Sequence, residues 1–136
     1  GGYFEIRQGA YVRGLCLVGD RCVVGHTTEV KHSVMLDDAK AGHFASIGDS
    51  ILGNCTNLGA GTKLDNLKII DSPVSVTIDN KRYDTGLRKF GAIIGDDTET
   101  GCNSVTNPGT LLGRRCLVYP GISVKGGYYR DRSVIR

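Results

Sequence analysis

Three histidines, two cations and two asparagines are the side chains whose types and spacing could do chemistry in this chain. His43 closes the run Lys40-Ala41-Gly42-His43, with His26 and His32 upstream of it. Imidazole, with an unperturbed pKa of about 6.5, is the side chain able to take up a proton near neutral pH. Arg13 and Lys31 stand eighteen residues apart. If the chain repeats every six residues in a three-sided coil, that is one full turn, which stacks the two cations on one face. A phosphate dianion there would find donors from both. Asn57 and Asn66 offer amides, for a ligand or for the backbone groups of a corner.

The six-residue beat that positions these residues is plain in the sequence. Taking every sixth residue from Ile6 gives Ile6, Val12, Val18, Val24, Val30 and Leu36, then Leu52, Leu58 and Leu64, and later Ile94, Thr100, Thr106, Leu112, Val118 and Val124. Gly or an acid commonly follows each rung, and four residues after it comes a small side chain such as Cys22, Thr28, Thr56 or Ser104. Neither a helix nor a sandwich strand has this period. A triangular solenoid does, because each hexad makes one short strand and one corner. Aliphatic rungs then point inward and stack about 4.8 Å apart, one coil on the next. The glycines after the rungs are expected to supply unusual corner dihedrals.

Composition narrows the class. The chain has 136 residues, enough for one domain, with 7% aromatics and no Trp, so its core must be built of small aliphatics. A net charge of +3 from 17 basic and 14 acidic residues is too balanced to point to nucleic acid. No apolar run is long enough to span a membrane, and Gly1-Gly2-Tyr3-Phe4 does not read as a signal peptide. Five cysteines without a Cys-x-x-Cys pair fit space-filling thiols in a reducing cytoplasm better than disulfides or metal ligands.

The expected organisation is a single β-helix domain, residues 1–136. Coils cover about 6–64 and 94–125, residues 65–93 leave the repeat, and 126–136 form a short basic tail. The beat slips between Leu36 and Leu52, which predicts a loop there. Within the excursion, Val74 to Ile78, then Asp79-Asn80, then Lys81-Arg82-Tyr83 predict a hairpin with a tight polar turn. An opening on a strand-like segment suggests that an N-terminal domain precedes this piece.

Four stretches carry a resemblance: Glu29-Val30-Lys31, Lys40-Ala41-Gly42-His43, Ile47-Gly48-Asp49 and Asn57-Leu58-Gly59-Ala60-Gly61-Thr62. Together they resemble the acetyltransferase half of bifunctional N-acetylglucosamine-1-phosphate uridylyltransferases. They are closer still to the C-terminal domain of archaeal-type sugar-1-phosphate nucleotidylyltransferases, which share the 65–93 excursion and its ending Arg88-Lys89-Phe90-Gly91-Ala92. The resemblance covers residues 6 to about 125. It implies an all-β, left-handed parallel β-helix, an exception to right-handed crossovers, that forms a homotrimer with active sites between subunits. The implied activity is N-acetyl transfer from acetyl-CoA to an amino-sugar 1-phosphate of the glucosamine 1-phosphate type. His43 corresponds to the general base, Arg13 and Lys31 to the holders of the sugar phosphate, and Asn57, Asn66 and Lys89 to substrate-contacting positions. Cys102 and Pro120 correspond to positions that bind coenzyme A.

Two departures from the family pattern stand out. Ser46 replaces a frequent Tyr three residues after the base, and Leu67 replaces an aromatic found in some members. The Gly-rich loop of nucleotidyl transfer is absent from this stretch, so it is not expected to make a nucleotide sugar by itself. The rival reading is a non-catalytic trimerisation domain of a sugar-phosphate nucleotidyltransferase. A zinc enzyme of the three-histidine β-helix type is disfavoured, because His26, His32 and His43 lack the required spacing. No metal, nucleic-acid or membrane partner is expected.

Overall fold

A computed structural model describes residues 2–136. Its described residues contain strands and turns but no helix, and three parallel sheets form the walls of a prism. Sheet A has seven strands: Glu5–Ile6, Val23–His26, Lys40–His43, Asn57–Leu58, Glu99–Thr100, Leu117–Val118 and Val134–Ile135. Sheet B has six: Tyr11–Val12, Glu29–Lys31, Ser46–Gly48, Lys63–Leu64, Val105–Thr106 and Ser123–Val124. Sheet C also has six: Leu17–Val18, Val34–Met35, Ile51–Leu52, Ala92–Ile94, Thr110–Leu112 and Gly127–Tyr129. The chain visits A, B and C in turn, so each strand pairs with the one from the preceding coil. This is the triangular solenoid that the hexad pattern called for, the left-handed β-helix that the resemblance implied.

The register identifies the true rungs. On sheet C, Val18 pairs with Met35, Met35 with Leu52, Leu52 with Ile94 and Ile94 with Leu112. Met35 is 1% exposed, whereas Leu36, expected as a rung, is 40% exposed. The stretch from 36 to 52 is therefore not a loop. Its rungs are Ala41 and Ile47, both buried, and its strands pair in register with the coil below. What the slip reflects is a shortening at the end of sheet B. Only Lys31 separates the rung Val30 from the corner residue His32, and only Gly48 separates Ile47 from Asp49. Elsewhere two residues intervene, as Gly19 and Asp20 do between Val18 and Arg21.

The corners correct a second expectation. Most left-handed corner residues are not glycine, among them Leu15, Arg21, Thr27, His32, Asp38, Phe44, Asp49 and Cys55, with φ between 46° and 62°, and the glycines that directly follow the rungs are not left-handed. Those glycines are needed for close approach. A Cβ on Gly25 would fall on the carbonyl oxygen of Gly42, and one on Gly59 would lie 2.5 Å from the carbonyl oxygen of Thr100. The path of the next coil decides these positions.

The small residues line the narrow edges of the prism and satisfy its backbone. Thr28 Oγ1 donates to the Ala41 carbonyl at 3.1 Å, and Ser50 Oγ to that of Gly48 at 2.7 Å. Thr100 and Thr106 stand as rungs where other coils carry aliphatics. Thr100 shares a 2.8 Å hydrogen bond with Thr62, but Thr106 Oγ1 is buried without a partner among the described residues. An unpaired buried hydroxyl costs about 1–3 kcal/mol, and Val has the same shape without it. Thr106→Val is accordingly expected to stabilise the fold by about 1 kcal/mol, read as a raised midpoint in thermal or denaturant unfolding.

The excursion expected at 65–93 leaves the prism after Leu64 and ends at Gly91, the chain rejoining sheet C at Ala92. Strands Ser75–Ile78 and Lys81–Asp84 form an antiparallel hairpin. Its turn residues Asp79 and Asn80 both have positive φ, 48° and 67°, as a primed two-residue turn requires. The hairpin packs one apolar face inward: Val74 and Val76 are buried, and Gly109 leaves room beneath them for the Ser75 carbonyl. Past residue 125, where a tail was expected, the chain adds the last strands of sheets C and A, paired with Thr110–Leu112 and Leu117–Val118.

Candidate functional site

The residues singled out in the sequence gather at the two edges of sheet B. At the A-to-B edge His43 ends its strand and pairs in register with His26. A column of backbone hydrogen bonds continues along this edge. Gly61 N–H donates to the His43 carbonyl, Asn103 N–H to that of Ala60, and Gly121 N–H to that of Cys102. His26, His43, Ala60, Cys102 and Pro120 thus occupy equivalent corner positions. With coils about 4.8 Å apart, Cys102 lies roughly 10 Å and Pro120 roughly 14 Å along the edge from His43.

The His43 imidazole is exposed and makes no hydrogen bond among the described residues. It borders a groove of about 280 Å³ with Arg7, Lys40 and Asn57. Asn57 pairs in register with Lys40, which places its outward amide one coil from the strand that carries His43. Below lies His26, whose Nδ1 donates to the Gln8 carbonyl at 2.7 Å and whose ring meets Phe44 edge-on at 5.3 Å. Gly42 in the groove floor lies beside the Arg7 guanidinium, which is paired with Glu5.

At the B-to-C edge the cations stack as their spacing predicts. Val12 pairs with Val30, and Arg13 N–H donates to the Val30 carbonyl, so Arg13 and Lys31 follow equivalent rungs. Arg13 reaches Glu29 at 3.6 Å, an exposed pair. Lys31 is engaged more tightly: its Nζ donates to Asp49 Oδ2 at 2.8 Å. The same oxygen accepts from Asn66 Nδ2 at 2.5 Å, and Asp49 Oδ1 accepts from His32 Nδ1 at 2.7 Å. Because an ionised carboxylate only accepts, His32 must carry its proton on Nδ1 in this contact, leaving Nε2 free. Burial pushes the Asp49 carboxyl up, but the hydrogen bonds from Lys31, His32 and Asn66, with the Lys31 charge, outweigh it and hold the group below its ordinary value.

Lys89 sits at the root of the arm, bridged to Leu67, and borders a cavity of about 540 Å³ with His32, Asp49, Leu87 and Phe90. The fold therefore joins Lys31, Asn66 and Lys89 around one corner and His43 with Asn57 at the other. Within one subunit the width of sheet B separates the two groups. Ser46 faces outward between them, in register with Glu29 and Lys63. Asp49 and His32 were missed as site residues, although a signal existed. They are seventeen residues apart, each two residues after its rung, so the two shortened steps already aligned them.

Comparison with known proteins identifies the family. Residues 3–81, more than half of the chain, match the family described as the GMPPB C-terminal domain. The chain belongs to that family. It is 36% identical over 115 residues to a bifunctional sugar-1-phosphate nucleotidylyltransferase/acetyltransferase of Sulfurisphaera tokodaii, across 85% of this chain and 29% of the relative. It is 37% identical over 109 residues to the bifunctional protein GlmU of Methanocaldococcus jannaschii, across 80% of this chain and 26% of the relative. The chain thus spans less than a third of the length of these relatives. Among solved structures, the acetyltransferase domain of PglB from Neisseria gonorrhoeae superposes with a TM-score of 0.66 at 16% identity, over 93% of this chain and 49% of that one. The H141N mutant of perosamine N-acetyltransferase from Caulobacter crescentus, in complex with CoA and GDP-perosamine, gives 0.67 at 18%, over 98% and 52%. At such identities the likeness concerns the fold alone.

Proposed function

We propose that this chain is a coenzyme-A-dependent N-acetyltransferase domain acting on an amino-sugar 1-phosphate. One observation carries the reading: a solvent-facing imidazole and a cluster of cations and amides flank the two edges of one sheet, with only the short Ser46 between them. A sugar laid across sheet B directs its phosphate to Arg13 and Lys31 and its amine toward His43. His43 takes the proton that the amine loses as its nitrogen attacks, and Asn57 supplies an amide donor beside it. Acetyl-CoA, when bound, supplies the acyl group as an activated thioester. Cys102 and Pro120 would hold it along the A-to-B edge. There a groove of about 250 Å³ lined by Leu117, Tyr119 and Pro120 over Gly101 suits an extended chain of mixed polarity. The name of the Sulfurisphaera tokodaii relative, which includes an acetyltransferase, supports the same reaction class.

Thiol release from acetyl-CoA, followed with glucosamine 1-phosphate, galactosamine 1-phosphate and no acceptor, tests the proposal. Release that requires a phosphorylated amino sugar is the expected result. Release at the no-acceptor level in all three would sink it in favour of the trimerisation-domain reading.

The same reading includes a homotrimer, and sheet C supports it. The outward residues of that sheet are Leu17, Val34, Ile51, Ile93, Leu111 and Tyr128, an unbroken apolar column. The matching columns of the other sheets carry charge, with Glu5, Lys40 and Glu99 on sheet A and Glu29 and Lys63 on sheet B. A large apolar stripe on one face of three is a surface for another copy. Light scattering is expected to report a trimer at micromolar concentration for the natural sequence and a smaller species for Ile51→Glu. A monomer for both would remove the interfacial site.

A further inference from the structure

The Asp49 carboxylate has no part in the reading above, yet three side chains converge on it, two from the preceding coil and one from the arm. Its side chain is 7% exposed. Lys31 reaches it from one coil of sheet B, His32 from the corner below, and Asn66 from the first residues of the arm. The backbone of Asp49 takes part as well: its N–H donates to the Lys31 carbonyl, and its own carbonyl accepts from Gly91, where the arm returns. The shortened steps at Lys31 and Gly48 produce this convergence.

We propose that Asp49 is a positioning residue of the phosphate end of the site, holding Lys31 and Asn66 toward the acceptor and tying the arm to that edge. This rests on the acyl-transfer reading for the identity of the acceptor. Two simpler views predict other outcomes. If Asp49 only neutralised Lys31, removing its charge would free a cation and tighten phosphate binding. If it were only a structural ion pair, a folded variant would bind as the natural protein does. A positioning role predicts the opposite sign: a more positive site that binds phosphate less well, because the ammonium and the amide are no longer fixed.

The test compares Asp49→Asn with the natural sequence, using glucosamine 1-phosphate binding by calorimetry and steady-state acetyl transfer. Kd and KM for glucosamine 1-phosphate should rise about tenfold, with KM for acetyl-CoA and kcat within about twofold, as expected when directly contacting groups are coupled. In a Lys31→Ala background the same substitution should add less than about twofold, since most of its effect passes through Lys31. His32→Ala, at an exposed corner that tolerates truncation, should raise KM by about threefold through the loosened carboxylate, and it stands in if Asp49→Asn does not fold. Unchanged or tighter binding in Asp49→Asn, or full additivity with Lys31→Ala, overturns the proposal while leaving the transferase reading intact. Binding without turnover in the natural protein has the reverse effect, removing the transferase and keeping Asp49 as an organiser of a phosphate site. Absence of binding in the natural protein overturns both.

Discussion

His43→Ala is expected to lower acetyl transfer by about 10²–10⁴-fold, the usual contribution of a positioned general base, with little change in fold or oligomeric state. The structural side of this expectation is direct. His43 projects outward from a corner, its imidazole is exposed, and no described side chain depends on it for a hydrogen bond. The rung that anchors its strand is Ala41, which is buried and unaffected by truncation at 43. The chemical side follows from the reaction: an amine that attacks a carbonyl must lose a proton, and at the A-to-B edge the neighbouring groups Arg7 and Lys40 are cations that cannot accept one at neutral pH. His26 is the nearest alternative, one coil below: its Nδ1–H donates to the Gln8 carbonyl, which leaves Nε2 as the acceptor, and its ring packs on Phe44. Transfer that persists within about tenfold in His43→Ala would therefore move the base to His26 or to water. A loss in kcat without a matching change in KM for the acceptor is the pattern expected of a group that acts in the transition state.

Much of this architecture could be read from period alone, because a three-sided coil repeats its geometry every six residues and leaves the same residue types at the same places. The prism, the stacking of Arg13 on Lys31 and the hairpin at 74–84 all follow from local pattern. Three features did not. The rung at Met35 was mistaken for Leu36 because both are large and apolar and the beat shortens just before them. The glycines were assigned to corner dihedrals, whereas the clash that requires them comes from a coil seventeen residues or more away, which no local window contains. The convergence on Asp49 needed both shortened steps to be placed, and it joins residues from two coils and the arm. His43 and Asn57 were legible by resemblance, but their separation from Lys31 by the width of sheet B is a property of the folded prism.

Arg13→Ala and Lys31→Ala are each expected to raise KM for an amino-sugar 1-phosphate by about 10- to 150-fold, the equivalent of one charge-assisted hydrogen bond of roughly 1.5–3 kcal/mol. Lys31 should stand at the upper end of that range. Its side chain is 23% exposed, so its charge is less screened than that of Arg13, whose side chain is 45% exposed and whose partner Glu29 is equally open. An unphosphorylated amino sugar should be a poor acceptor for the natural protein and lose little more in either variant, while KM for acetyl-CoA should stay near its original value. This contrast separates recognition from architecture. Truncating Lys31 also leaves the Asp49 carboxylate with one donor fewer in a largely buried position, which by itself would destabilise the corner and reduce transfer to every acceptor alike. Equal losses for phosphorylated and unphosphorylated acceptors would show that Lys31 serves the corner. A loss confined to the phosphorylated acceptor, increasing as salt is lowered toward a range where screening no longer masks the charge, would show that it serves the phosphate.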